Sequence, residues 1–361
     1  MLVSASLEFA QRYLFAYEAL IVLFTLLFVF QQNKQSPMLN KQLTPLICLI
    51  IILFITFRPE VWQYFGDTAN YAKSFRIAQA SGNVPEKYDK DPGFALTIDF
   101  FKNFDLRFWF LFFAVLYVIP QYVTCKKLFG ENFTFAFVLI IGALSFFAYG
   151  FNGMRNGAAC ALVMYGIISP STLIRTIIFV AAISLHKSVL LPVVAYIITI
   201  YYSDTKKLIY LWGICVFIAF FVSGSFGDMQ WLSDLLGDNR VSYFNQDFNT
   251  MEGAKRINFS HTGFRWDFLI YSAIPIYFGW ITIVKNEIQD DWYTRIFNIY
   301  LICNTAWLFT ARIPFNNRFA YLSWFLLPLL LAYPYIFNEQ LRTNRNINTI
   351  VLLFLFITLI M

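Results

Sequence analysis

The chain has 361 residues, of which 59% are hydrophobic and 13% charged, with a formal net charge of +6. A soluble protein of this length carries about a quarter charged residues, so the composition excludes water as the main solvent and points to an all-α integral membrane protein. The 43 phenylalanines, 21 tyrosines and 9 tryptophans suit lipid-facing helices with aromatic belts, and cations scattered through many loops argue against a nucleic-acid partner.

Apolar runs approaching the roughly twenty residues of a bilayer crossing fall at Tyr13–Phe30, Leu43–Phe57, Arg107–Thr124, Phe133–Gly150, Gly157–Ser169, Leu173–Leu185, Ser188–Tyr202, Leu208–Ser223, Asp267–Val284, Arg295–Thr310, Phe319–Phe337 and Asn348–Met361. They predict about twelve transmembrane helices. The first reads as a retained span, since it lacks a small-residue cleavage site and, at about eighteen residues, is too long for a signal core. Several others are short, and the pairs meeting at Arg155 and His186 read as broken or re-entrant helices. Two polar stretches, 58–106 and 226–266, read as outward-facing loops with short helices on the membrane surface, within a single polytopic domain over 1–361. Cys48, Cys125, Cys160, Cys215 and Cys303 share no CxxC spacing and read as small apolar residues.

Alternate short loops hold Lys34 and Lys41, Lys126 and Lys127, Arg175, Lys206 and Lys207, Lys285, and Arg342 with Arg345, which assigns that side to the cytoplasm. The opposite side receives both long loops, the notch Phe151–Gly157, the His186-Lys187 turn and the Arg312–Arg318 turn. Cations on that outer side break the positive-inside rule and need another explanation.

Four polar groups fall there. In Gly66-Asp67-Thr68-Ala69-Asn70-Tyr71, Asp67 and Tyr71 share a helix face; Asp67 is a candidate base or sugar-hydroxyl ligand, or a helix N-cap. Arg155 and Asn156 stand in the notch, where a planar guanidinium suits phosphate oxygens; snorkelling or pairing with a structural carboxylate is the alternative. His186, beside Lys187, is one of only two histidines, placed to move a proton near neutral pH or simply to end a helix. The fourth group gathers His261, Arg265, Trp266 and Asp267 with Arg312, Arg318 and Tyr321. Its arginines can grip a pyrophosphate, or Arg265 can pair with Asp267. No lysine-bearing phosphate loop, HExxH or GxSxG elbow is expected, nor an acidic pair of DxD type to hold a metal-bound nucleotide sugar. The expected chemistry uses no cofactor, metal or ATP.

The sequence resembles the EpsG/Wzy group of polysaccharide repeat-unit polymerases. The matching pieces are Gly66–Tyr71, Asp91-Pro92-Gly93-Phe94, Asn152–Gly157, His186-Lys187-Ser188, Phe264–Phe268 and Arg318-Phe319-Ala320-Tyr321, in the expected order; Asn156 departs from the glutamine common at that place. The resemblance implies a GT-C-like enzyme of the bacterial cytoplasmic membrane, working on its outer face. It would move a growing glycan from undecaprenyl pyrophosphate to a new lipid-linked repeat unit. Arg155, Arg265, Arg312 and Arg318 are then the candidates for the pyrophosphate, Asp67 or His186 for the base, and Tyr71, Trp266 and Tyr321 for stacking on sugar rings. Asn156, Lys187 and Asp267 complete the candidate substrate contacts. The partners are the lipid-linked donor and acceptor, membrane lipid and, as a further candidate, a chain-length regulator protein. A ligase moving glycan to another acceptor, a lipid-linked oligosaccharide flippase and a membrane O-acyltransferase are the alternatives.

Overall fold

The computed structural model describes residues 2–33, 37–222, 264–311 and 316–360. Among these the chain is helical throughout, with no strand. That follows from the composition: in hydrocarbon every backbone amide must find its partner within the chain, and a helix does this locally. Four stretches are long and apolar enough to cross a membrane: Ser6–Gln32, Leu106–Ile141, Trp266–Lys285 and Asn317–Phe337. Gln42–Phe57, Pro92–Phe101, Thr172–Leu185, Lys187–Tyr201 and Asn344–Ile360 are shorter apolar helices.

The chain divides into two compact units, Met1–His186 with Leu331–Met361, and Lys187–Leu330. The first begins with α1 (Leu2–Asn33) and α2 (Pro37–Phe57). The polar stretch after α2 folds into the short α3 (Trp62–Phe65), α4 (Thr68–Ser81) and α5 (Pro92–Phe101). Then come α6 (Leu106–Phe129), α7 (Phe133–Ile141) and α8 (Leu144–Phe147). A π-turn over Ala148–Asn152 leads into α9 (Met154–Ile167) and α10 (Thr172–Leu185). α6 starts on the Asp105 cap, whose carboxylate accepts from Arg107 N at 2.7 Å, and stops at Gly130, which has φ +51°. There the chain reverses: Tyr122 of α6 packs edge-on against both Phe133 and Phe137 of α7, at 5.7 and 5.8 Å. The stretch Leu106–Ile141 therefore comprises two antiparallel helices, α6 and α7, and not one span.

At 1.5 Å per residue α6 is about 36 Å long, a bilayer's thickness, and its ends mark the two ends of this unit. At its start Arg107 donates to the Thr56 and Arg58 carbonyls at 3.2 and 2.9 Å. Beyond its far end, Glu131 and Asn132 line a cavity of about 250 Å³ with Gln32, Arg342 and Asn344. Loops that the charge pattern assigns to one side thus meet at one end of the unit. An aromatic cluster holds the other end: Trp109 stacks on Phe75 of α4 at 5.1 Å and packs on Phe94 of α5 at 5.4 Å, with Phe113 5.4 Å from Phe94. Each ring buries a large apolar face, and together they fix α4 and α5 on α6.

The second unit contains α11 (Leu190–Tyr201), α12 (Thr205–Val222), α13 (Trp266–Gly279), α14 (Asp291–Leu308) and α15 (Asn317–Trp324). Asn304 of α14 binds this bundle by hydrogen bonds. It accepts from Trp212 Nε1 at 2.8 Å and donates to Ser272 and Ser323 Oγ at 3.0 Å each. Small polar residues meeting between helices are what apolar surroundings favour. α16 (Leu327–Phe337) and α17 (Asn344–Ile360) end the chain. The predicted loop 226–266 lies outside the described residues as far as residue 263, and so do His261 and Arg312.

Candidate functional site

The notch around Arg155 is narrower than its polar sequence suggests. Helix continues on both sides: Gly153 alone (φ −97°, ψ 48°) separates the π-turn from α9, so Arg155 is the second residue of a helix and not part of a loop. Such π-insertions recur at functional sites because they re-aim a few side chains without ending the helix. Here Asn152 Oδ1 accepts from Asp67 N at 2.7 Å, tying the π-turn to the start of α4. Gly66 makes this possible. Its φ is +47°, and a Cβ on it would lie 2.4 Å from Asn152 Oδ1.

Beneath this junction lies Arg58, fully buried and not among the residues that sequence reasoning singled out. It donates to Thr68 Oγ1 at 2.8 Å, to the Ile55 carbonyl and to Met154 Sδ at 3.1 Å, with its guanidinium carbon 4.2 Å from the Phe110 ring centre. Thr68 in turn donates to the Phe151 carbonyl. One guanidinium thus joins the end of α2, the start of α4 and the start of α9.

Arg155 donates to Asp91 Oδ2, and the same oxygen lies 3.4 Å from His186 Nδ1. The Asp91 and His186 side chains are 8% exposed and that of Arg155 is 18% exposed. The Tyr71 oxygen accepts from the Arg155 guanidinium, and the Tyr88 and Phe94 rings flank it at 5.5 and 5.2 Å. The buried Arg155 Nε makes no hydrogen bond among the described residues. Asp91 sits at the head of α5, with Pro92 opening the helix behind it, where proline's missing N–H costs nothing. His186 ends α10 in extended backbone, its N donating to the Ala182 carbonyl at 3.0 Å.

Asp67, Tyr71, Arg155 and His186 therefore gather in the first unit. Asp67 stands at the N-cap position of α4, but its side chain makes no capping bond; Asn70 Nδ2 donates to it at 3.3 Å. Tyr71 is buried at 6% exposure with its ring 5.7 Å from Phe94, as the partner of Arg155 and not as an open stacking face. Asn156 turns inward, accepting from Cys160 Sγ at 3.6 Å. Lys187 opens the short 3₁₀ turn Lys187–Val189 that follows His186.

On the short 3₁₀ turn Glu86–Tyr88, Lys87 and Tyr88 complete the surroundings. Burial lowers the Lys87 ammonium from its ordinary value, Arg155 lowers it further, and Asp67 opposes both. Burial raises Tyr88, whose hydroxyl donates to Ser74 Oγ at 3.2 Å.

In the second unit Arg265 makes a two-pronged ion pair with Asp267, its Nε donating to Oδ1 at 2.8 Å, and lies 3.7 Å from the Phe268 ring centre. The pairing that competes with a phosphate role is present. Arg318 lies in the first turn of α15 and not in a loop. Arg318 and Arg265 both act electrostatically on Tyr321, which accepts from Asn317 Nδ2 at 3.3 Å. Trp266 is 54% exposed and packs on Phe264 and Phe220 at 4.8 and 5.2 Å.

Sequence reasoning missed Asp91, Tyr88 and Phe94 as site residues. The available signal was Asp91-Pro92-Gly93-Phe94 itself, an acid placed directly before an apolar helix. Asp89-Lys90-Asp91 is itself an acidic pair of DxD spacing, which corrects the expectation that the chain has none. Asp91 is turned to Arg155 and His186 while Asp89 is exposed. Among the described residues no group of three or more His, Cys, Asp or Glu side chains stands together as a metal site.

The model of the EpsG family matches residues 41–361, which includes every residue of both clusters. The chain belongs to the EpsG family. This is the family of Wzy-type polysaccharide polymerases, so the expected membership holds and a membrane polymerase of glycan is the general class. No curated protein and no solved structure matches the chain. In this EpsG-family chain Arg155 and His186, each from its own motif piece, meet on the carboxylate of a third piece, that of Asp91.

Proposed function

We propose that the chain is a metal- and nucleotide-independent glycosyltransferase that polymerises undecaprenyl-pyrophosphate-linked repeat units into O-antigen, capsule or exopolysaccharide. The observation that carries this reading is the cluster of Arg155, Asp91, His186 and Tyr71, together with membership of the EpsG family. A glycosyl pyrophosphate brings its own leaving group. The protein must supply cationic stabilisation of that group, a base for the acceptor hydroxyl, and positioning.

Arg155 supplies the cation: a planar guanidinium meets phosphate oxygens through several donors at once, and its buried Nε retains a donor without a partner among the described residues. Asp67 or His186 takes the acceptor proton. Arg265 and Arg318, with Arg312, are further candidate phosphate contacts, and Trp266 and Tyr321 candidate sugar contacts, on the second unit. In this reading about twelve helices span the bacterial cytoplasmic membrane in a GT-C-like arrangement, and the Arg155 cluster opens to the periplasm or exterior. A chain-length regulator is a candidate partner.

The test is Arg155→Ala in cells that make the polymer. Membrane-inserted protein with single repeat units at the cell surface is the expected result, and long-chain polymer from the variant sinks the reading. Transfer of glycan to a lipid A core by purified protein would favour a ligase, and movement of lipid-linked substrate across liposomes at unchanged glycan length a flippase.

A further inference from the structure

We propose that Asp91 is a positioning residue that holds the His186 imidazole with its proton on Nδ1, making Nε2 the atom that takes the acceptor proton. This rests on the polymerase reading and decides between the two bases it leaves open.

Asp91 Oδ2 stands 3.4 Å from His186 Nδ1, and both side chains are 8% exposed. A carboxylate acts only as an acceptor, so the tautomer it selects carries the hydrogen on the nitrogen facing it. The separation is longer than a formed N–H···O bond, as is common for catalytic contacts before substrate arrives. The Asp91 backbone is fixed: its N donates to the Tyr88 carbonyl at 2.9 Å and its carbonyl accepts from Ala95 N at 3.0 Å. Two residues on, Gly93 lies against Ser184 of α10 so closely that a Cβ there would stand 2.3 Å from Ser184 Oγ. The helix carrying the carboxylate and the helix ending in the histidine are therefore held together within two residues of each group. Arg155 donates to the same oxygen and so helps fix the carboxylate.

The step balances as follows. The acceptor hydroxyl gives its proton to Nε2 as its oxygen bonds to the anomeric carbon. The bond from that carbon to the pyrophosphate oxygen breaks, and its electron pair leaves with the pyrophosphate towards Arg155. Asp91 stabilises the imidazolium, which then returns its proton to solvent.

The chain has two histidines, His186 and His261, so His261→Gln leaves a single imidazole. Nitrogen-15 NMR of the full chain carrying this substitution in lipid nanodiscs, labelled at histidine and read where the ring is neutral, reports the tautomer without substrate. The expected result is an Nδ1–H ring, with the preference lost in Asp91→Asn. An Nε2–H ring, or an even mixture, in protein with Asp91 intact overturns the proposal even if Asp91→Asn fails to fold. In polymerisation assays His186→Gln should lower kcat about 10²–10⁴-fold, the usual worth of a general base. Asp91→Asn should lower kcat at least about tenfold, with a smaller change in KM for the lipid-linked donor. Unchanged kcat in His186→Gln overturns the base. Wild-type protein that joins no repeat units overturns the polymerase reading and the base with it, whereas the tautomer still reports whether Asp91 positions the ring.

Discussion

Gly93 lies against Ser184 with no room for a methyl group: a Cβ on Gly93 would fall 2.3 Å from Ser184 Oγ, 2.9 Å from its Cβ and 3.0 Å from its carbonyl carbon. Alanine ordinarily favours a helix over glycine by about 1 kcal/mol, so the sign of a substitution here reports the contact. Overpacking of this kind costs about 1–3 kcal/mol. Gly93→Ala should therefore lower stability, move Asp91 away from His186 and shorten the polymer. Ser184→Gly, which removes both the Oγ and the Cβ, should restore most of the loss in the double variant. Thermal unfolding in detergent and gel analysis of the glycan check it, and a more stable, fully active Gly93→Ala would contradict the contact.

That contact also shows what the sequence could and could not reveal. Helix type was legible because apolar runs in a charge-poor chain permit little else, and the breaks at Gly153 and His186 coincide with the junctions where the runs meet. Asp67, Tyr71, Arg155 and His186 were legible as a set because alternate loops must share a side. Asp91 was not, because it lies in a long polar stretch where any acid reads as solvated. Its role appears only once Gly93 brings α5 onto α10. Arg58 was hidden for a related reason: in sequence it simply begins that polar stretch, and only the fold shows it buried between three helices. The pairing of Arg265 with Asp267 was readable from their spacing of two, as the alternative to a phosphate role.

The Asp91–Arg155 pair predicts strong coupling. Both side chains are mostly buried, at 8% and 18% exposure, and breaking a buried pair costs more than a surface pair contributes because the remaining charge is stranded. Each alanine substitution should cost about 3 kcal/mol, the low end of the range for buried pairs since Arg155 keeps some water contact. The double variant should cost less than the two together, with a coupling energy of about 1–3 kcal/mol. Chemical denaturation of the four proteins in one detergent measures the cycle, and additive losses would mean that the pair contributes nothing as a pair.

Lys87 offers a pH-dependent probe of the same field. Burial and then the Arg155 charge hold its ammonium below the ordinary lysine value, while Asp67 pulls it back up. The sign follows: the neutral, reactive amine appears at lower pH than in an unburied lysine. Arg155→Gln removes a lowering charge, so labelling of Lys87 should shift to higher pH. Asp67→Asn removes a raising charge and should shift it to lower pH. Mass spectrometry after brief amine acylation across a pH series reads both shifts, and equal profiles in all three proteins would separate Lys87 from Asp67 and Arg155 electrostatically.

Arg58 should matter more for the shape of its guanidinium than for its charge. Its Nε, Nη1 and Nη2 each reach a different group, namely Thr68 Oγ1, the Ile55 carbonyl and Met154 Sδ. A lysine ammonium is a compact point charge without that planar fork, so Arg58→Lys keeps the charge but cannot hold α2, α4 and α9 at once. Each hydrogen bond from a charged group is worth about 1.5–3 kcal/mol, and Arg58→Lys should lower stability by at least about one such bond. The loosened junction frees Asn152 from Asp67, so protease access should rise around residues 66–68 and 150–154 before the rest of the first unit unfolds. Hydrogen exchange over those peptides is the measurement. Protection equal to wild type there, with normal stability, would show that charge alone suffices at this position.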